Sequence, residues 1–410
     1  MSYEIKKAAV LGAGVMGATI AAHLTNAGIE CYLLDIIPFE LTDADKAKGL
    51  TEKSPAWRNR FAANGLAGVT KSKPASFYSK KNAAMITIGN FEDNLNWLAE
   101  CDWVIEVVVE NLKIKQELFA KVEKIVKPTC IVTTNTSGLP IADISSKFGK
   151  SLKERFLGTH FFNPPRYMKL LEIIPGKETK KEVVDYMIAF GERVLGKGIV
   201  VCKDVPNFVG NRIGVFDISN AVRLMVDKGL KIDEVDAVIG KAVGRPGSSI
   251  FGTLDLVGLD TGYHVMKNLY EAVPDDEARE SFLPLPFMDK MMELKWLGNK
   301  TKGGFYKKTK DAKGKKTKLM LDYEKMEYVP AGRPKFESVS AAKKKSDEGV
   351  AATIKTIFYG KDAASELVRE YLCNNFIYAA NRVPEICENI TAIDNAMKWG
   401  YNHALGPFES

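Results

Sequence analysis

The sequence predicts an α/β protein: a doubly wound parallel sheet covered by helices, followed by all-α segments. Three observations predict it. Short apolar runs alternate with amphipathic stretches as far as Lys203, a glycine-rich turn joins the first such run to the first helix, and strand-like runs cease after Lys203.

In order, AAVLGAG reads as a strand, the next stretch as a helix to Asn26 stopped by Gly28, and ECYLLD as a second strand. A polar insertion between Asp35 and Met85, broken by Pro38, Pro55 and Pro74, is longer than a plain crossover needs. MITIGN and DWVIEVVVEN read as strands, and KIKQELFAKVEKIV as a helix ended by Pro128. CIVTTNTS, RFLGTHFF, MKLLEII and GIVVCK follow as further strands. Residues 207–305 read as helices only, as in FVGNRIGVFDISNAVRLMVDKG and KIDEVDAVIGKAVG. The expected organisation is therefore 1–203, a sheet domain; 204–306, a helical domain; 307–345, a lysine-rich connector with VPAGRPKFESV; and 346–410, a second helical copy with a helix from about Ala363. That copy is suggested by a shared pattern: KIDEVDAVIGKAVGRP with FGTLD, against NITAIDNAMKWGYNHALGPFES. The second instance reads as truncated, so the native chain is expected to continue past Ser410.

With 410 residues, 46% hydrophobic and 27% charged, the chain has the balance of an ordinary globular protein of two or three domains. No stretch approaches the roughly 18 uncharged apolar residues of a membrane span, and the N-terminus runs directly into a strand, so a cytoplasmic protein is expected. The six cysteines form no CxxC pair, which argues against a zinc site or a disulfide framework. The formal charge of +7 is concentrated in lysines at 44–81 and 307–318. Without interleaved aromatics these tracts read as solvated segments rather than a nucleic-acid surface.

LGAGVMG places Gly12, Gly14 and Gly17, with Val15 and Met16 between them, at a strand-to-helix turn, and Asp35 ends the next strand 18 residues after Gly17. Gly12 permits the tight turn, Gly14 the approach of a pyrophosphate and Gly17 the packing of helix on strand, while the helix N-terminus attracts phosphate. This is the Rossmann-type dinucleotide fingerprint. Asp35 would accept from ribose hydroxyls and repel a 2′-phosphate, which favours NAD over NADP.

GTHFFNPPRYMKLLE, residues 158–172, sets His160 and Glu172 in strand-like sequence. Every residue from Leu170 to Pro175 except Glu172 is apolar, so an ionised carboxylate there would be costly without a partner. A strand, turn and strand through NPPRYM would bring the two side chains together. The pair reads either as a satisfied core contact or, beside a nicotinamide, as the base for an alcohol proton.

The chain resembles the L-3-hydroxyacyl-CoA dehydrogenase family of fatty-acid β-oxidation over most of residues 5–306. The motifs GAGVMG, VVVENLKIKQELF, TNTSGLPI, GTHFFNPPRYMKLLEIIPG, CKDVPNFVGNRI, DLVGLDT and TKGGFY occur in family order. The resemblance implies a Rossmann domain followed by helical domains of the family's C-terminal type, and NAD-dependent oxidation of an (S)-3-hydroxyacyl-CoA in a cleft between them. It implies a His160–Glu172 dyad, and contact of Ser137 and Asn211 with the substrate oxygen. Glu110, Lys115, Asn163 and Lys302 would line the cofactor or active site. Without the resemblance, Ser137 reads as a helix N-cap, Asn211 as a polar residue early in a helix and Lys115 as a lysine on an exposed helix face. Two helical copies resemble the larger multifunctional proteins, so an enoyl-CoA hydratase module is an expected partner. Turnover of a free hydroxy acid or polyol, and an idle NAD-binding assembly module, are the rival expectations.

Overall fold

Eight strands make one sheet in the N-terminal part of the computed structural model: β1 (Lys7–Leu11), β2 (Glu30–Asp35), β3 (Ile86–Asn90), β4 (Trp103–Glu106), β5 (Ile131–Thr134), β6 (Phe156–Phe161), β7 (Leu170–Pro175) and β8 (Gly198–Val201). The structure describes residues 3–310 and 314–410. Two compact units divide the chain, residues 1–208 and 209–410, so the segment 204–208 belongs with the sheet rather than with the helices.

The strand order is β3-β2-β1-β4-β5-β6-β7-β8. Every residue of β4, β5 and β6 is buried, which is why those strands read as continuous apolar runs rather than alternating ones. The sheet departs from the wholly parallel expectation at one place: β6 and β7 pair antiparallel. A parallel return needs a crossover of about a dozen residues, and the segment 162–169 is too short for one, so the chain folds straight back. The strand expected through VVVEN stops at Glu106 because the backbone there passes over the glycine turn. A Cβ on Gly12, whose φ is +109°, would lie 2.5 Å from the Val107 carbonyl oxygen.

The helix Val15–Asn26 packs on β1 and β2 through an almost wholly buried run from Gly17 to Thr25. Within the proline-broken insertion, the helix Arg60–Lys71 lies across it, and the contact with the turn is close enough that a Cβ on Gly65 would stand 2.4 Å from the Ala13 carbonyl. The helix Leu112–Val122 begins at Asn111, whose side chain accepts from Ile114 N, and ends before Pro128. Phe119 anchors it to Phe148 and Phe156, with ring centroids 5.2 and 5.1 Å away in edge-to-face geometry.

His23, on the Val15–Asn26 helix, is buried against Phe161. Burial pushes its pKa down to about 3, with the Lys197 charge adding to the effect. A base held below its unfolded value takes up its proton first in the unfolded state, so stability falls as pH drops from about 6.5 towards about 3. Urea midpoints measured between about pH 7 and pH 5 are expected to decline in the parent protein and to decline less steeply in His23→Leu.

The second unit contains the helices Gly210–Asp227, Ile232–Val238, Phe251–Val257, Leu259–Ala272, Pro286–Glu293, Val350–Phe358, Ala363–Asn381 and Ile390–Gly400. The expected connector is structured. β9 (Tyr306–Lys310), β10 (Lys316–Asp322) and β11 (Glu327–Pro330) form an antiparallel sheet, and Glu337–Lys343 is helical. Lysine is a poor strand former. Here buried Met320 and Leu321 anchor β10, and the Tyr306 hydroxyl donates to Asp236 at 2.9 Å. The two helical copies close their turns alike: Asp236 accepts from Phe251 N at 2.9 Å and Asp394 from Phe408 N at 2.8 Å. A buried cluster joins them, in which Arg245 and Tyr371 donate to Asp217 at 2.8 and 2.7 Å. Among the described residues no helix is long and apolar enough to cross a membrane.

Candidate active site

His160 and Glu172 are directly opposite in the β6–β7 ladder. Their side chains therefore leave the sheet on the same face. Nδ1 of His160 lies 2.6 Å from Oε2 of Glu172, with side-chain exposures of 7% and 0%. The other carboxylate oxygen accepts from the Cys202 thiol at 3.4 Å. Such a pairing fixes which imidazole nitrogen carries the proton and leaves Nε2 to act. Phe162 and Phe208 flank the imidazole at centroid distances of 4.7 and 5.9 Å. Behind it, Thr159 donates to Thr133 at 2.8 Å and Trp103 to the same hydroxyl at 3.0 Å, so the polar groups under the histidine are satisfied within the sheet.

A second cluster sits at the C-terminal ends of β4 and β5, where ligands bind in open α/β sheets. Lys115 is fully buried rather than on an exposed face, and its Nζ donates to Glu106 at 2.8 and 3.0 Å and stands 3.3 Å from Glu110. Glu106 also accepts from Thr134 Oγ1 at 2.6 Å and Val108 N at 2.7 Å. Burial pushes the Glu106 carboxyl up while Lys115 pulls against it. For Glu110, burial raises the pKa but Lys115 and hydrogen-bond donors outweigh it and hold it below the usual carboxylate range. Those donors are Thr136 Oγ1, Ser137 N at 2.9 Å and Gly138 N at 3.2 Å. Glu110 thus gathers the Thr-Ser-Gly turn and links it to Lys115, while Glu106 reaches the same turn through Thr134, whose hydroxyl accepts from Thr136 N at 3.2 Å.

Ser137 is exposed and caps no helix. The short helix Ile141–Ser145 is instead closed by Asp204, which accepts from Ile141 N and Ala142 N at 2.7 and 2.8 Å. Asn163 is exposed just past β6. Asn211 and Lys302 lie in the second unit. Asn211 accepts from the Tyr401 hydroxyl at 3.0 Å, and Lys302 is exposed with a left-handed φ of 61°. Glu106, Cys202 and Asp204 were not singled out from the sequence. Glu106 carried the same mark as Glu172, a carboxylate in an apolar strand, whereas Cys202 and Asp204 act only through the packing of β8 against β7 and the Ile141 helix.

The glycine turn fits a dinucleotide. A Cβ on Gly14 would meet nothing within 4 Å, and Val15 beside it is 72% exposed at the start of the helix, with Met16 half-buried behind. Gly17, by contrast, is pressed on Gly12, where an added Cβ would stand 1.8 Å from the carbonyl oxygen. Asp35 accepts from Ala13 N and Ile36 N, each at 2.7 Å, which ties the turn to β2 and leaves acceptor capacity on both oxygens. A groove of about 490 Å³ opens beside it, lined by Gly14, Val15, Asp35, Phe61 and Gly65.

Residues 7–205 match the family model described as "3-hydroxyacyl-CoA dehydrogenase, NAD binding domain", and residues 208–308 the one described as "3-hydroxyacyl-CoA dehydrogenase, C-terminal domain". The chain belongs to the 3-hydroxyacyl-CoA dehydrogenase family. Its first unit is accordingly the family's NAD-binding domain. Among relatives, the chain is 46% identical over 409 residues to a protein named "Probable 3-hydroxyacyl-CoA dehydrogenase" from Bacillus subtilis, matching 100% of this chain and 51% of that one. It is 35% identical to a "Putative fatty acid oxidation complex trifunctional enzyme" from Rickettsia prowazekii, over 100% of this chain and 53% of that one. The chain thus spans about half the length of either relative. The crystal structure of a 3-hydroxybutyryl-CoA dehydrogenase from Escherichia coli shares the fold, with a TM-score of 0.70 and 22% identity over 98% of this chain and 90% of that one.

Proposed function

We propose that the chain catalyses NAD-dependent oxidation of (S)-3-hydroxyacyl-CoA to 3-ketoacyl-CoA, and the reverse reduction, as a step of fatty-acid β-oxidation. The observation that carries this reading is the 2.6 Å contact between His160 and Glu172 at the closed end of the β6–β7 turn. His160 takes the hydroxyl proton on Nε2 while Glu172, held on Nδ1, steadies the charge that results. NAD, when bound at the glycine turn, supplies the hydride acceptor. Ser137, on the turn gathered by Glu110, orients the reacting oxygen; Asn211 is assigned to the same oxygen by sequence resemblance alone. Asn163 and Lys302 are assigned to the cofactor on the same ground.

The trifunctional relative's name supports a fatty-acid context. It also supports an enoyl-CoA hydratase activity, in the same polypeptide or as a partner, that supplies the hydroxyl by adding water to an enoyl-CoA. NADH consumption at 340 nm is the deciding assay. Acetoacetyl-CoA is expected to be reduced, and free acetoacetate to be reduced at least about a hundredfold less efficiently, since binding energy from the non-reacting CoA portion is spent at the reacting centre. Equal turnover of the two, or of a polyol, would overturn the acyl-CoA assignment.

A further inference from the structure

Beneath the turn between β6 and β7 lies an ammonium that the chemistry above does not use. Lys197, immediately before β8, is 5% exposed. Its Nζ donates to the Met168 carbonyl at 2.9 Å and to the Pro165 carbonyl, and stands 5.6 Å from the centre of the Phe161 ring. Pro165 and Met168 both belong to the 162–169 turn, and Phe161 follows His160 directly in β6. The outer side of the turn is held separately. Arg166 donates to the Ala75 and Phe77 carbonyls, each at 2.6 Å, with its guanidinium 4.4 and 5.2 Å from the rings of Tyr78 and Tyr167.

These two holds differ in cost. Arg166 is half-exposed and keeps much of its hydration. Lys197 is buried, and among the described residues no carboxylate lies within ion-pair distance of it. Burial accordingly draws its pKa down to about 7. A Met or Leu would fill the same space without desolvating a charge, so what the ammonium contributes is its hydrogen bonds. The strands need no such help, because the ladder already sets His160 opposite Glu172. What remains to be set is the turn, which carries Phe162, packed 4.7 Å from the imidazole, and Asn163.

We propose that Lys197 is a positioning residue for the dyad: by holding the Pro165 and Met168 carbonyls it seats the 162–169 turn, so that Phe162 presses on His160 and the imidazole keeps one orientation towards substrate. This inference rests on the dyad reading above.

Lys197→Met and Lys197→Arg in the full chain, assayed for kcat and for the KM of acetoacetyl-CoA and NADH, together with thermal midpoints, test it. Misplacement of a catalytic group by about 1 Å costs up to about 10²-fold. Lys197→Met is therefore expected to lower kcat by about tenfold or more while the KM for NADH stays within about twofold, since the glycine turn is untouched, and Lys197→Arg is expected to regain a substantial part. If the Met variant does not fold, Lys197→Gln takes its place with the same expectation. A kcat within about twofold of the parent in the neutral variant would overturn the proposal, as would a loss confined to KM or to the thermal midpoint. A full-activity His160→Ala would instead sink the underlying dyad reading, so the two failures are separable.

Discussion

His160→Ala is expected to lower kcat for acetoacetyl-CoA reduction by on the order of 10² to 10⁴, the usual contribution of a positioned general acid or base, with NADH affinity nearly unchanged. The glycine turn and Asp35, the groups proposed to hold the cofactor, lie on β1, β2 and the helix Val15–Asn26, separated in the sheet from the β6–β7 pair by β4 and β5. NADH binding followed by fluorescence titration therefore separates loss of chemistry from loss of folding. Glu172→Gln is expected to be milder. It keeps the volume and one acceptor oxygen for Nδ1, but removes the charge that the 2.6 Å contact places beside the ring. Turnover of His160→Ala equal to that of the parent enzyme would remove the mechanism, whichever substrate were used.

How far the site was legible depends on the kind of interaction that builds it. The contact of His160 with Glu172 could be read because Glu172 sits in a strand whose other residues are all apolar, and because the short 162–169 segment forces an antiparallel return that sets the two opposite one another. Glu106 sits in an equally apolar run, WVIEVVV, with nothing in the sequence to name its partner. Its role depends on which face of the Leu112–Val122 helix turns inward. That face is chosen by Phe119 packing on Phe148 and Phe156, contacts remote in sequence that no periodicity reveals. The β9–β11 sheet was hidden for a different reason. The exposed positions of β9 and β10 are lysines, and the buried Met320–Leu321 pair that holds the sheet is too short a run to read as a strand core. Asp236 and Asp394 illustrate the intermediate case: the repeat was visible as a pattern, while the reason for each aspartate, accepting backbone amides of the following turn, required coordinates.

Lys115→Met is expected to destabilise the first unit by about 3–5 kcal/mol, the cost of leaving a buried charge without its partner. Lys115 and Glu106 have side-chain exposures of 1% and 0%, so no water replaces the lost ammonium. Thr134 and Val108 still donate to Glu106, but neither carries a charge. Glu106 must then bind a proton on folding or be held ionised at a penalty. Glu110 is affected less, with a side chain 41% exposed and three donors of its own from the 136–138 turn. The double variant Glu106→Met, Lys115→Met removes both charges together. It is expected to recover most of the loss, short of about 1 kcal/mol for each donor left without an acceptor. Urea unfolding of the three proteins measures the coupling directly. A single variant within about 1 kcal/mol of the parent, against that 3–5 kcal/mol expectation, would show that the cluster is not an ion pair in solution. A destabilised single variant that also loses kcat would tie the seating of Ser137 to the same buried charge, because Glu110 stands between them.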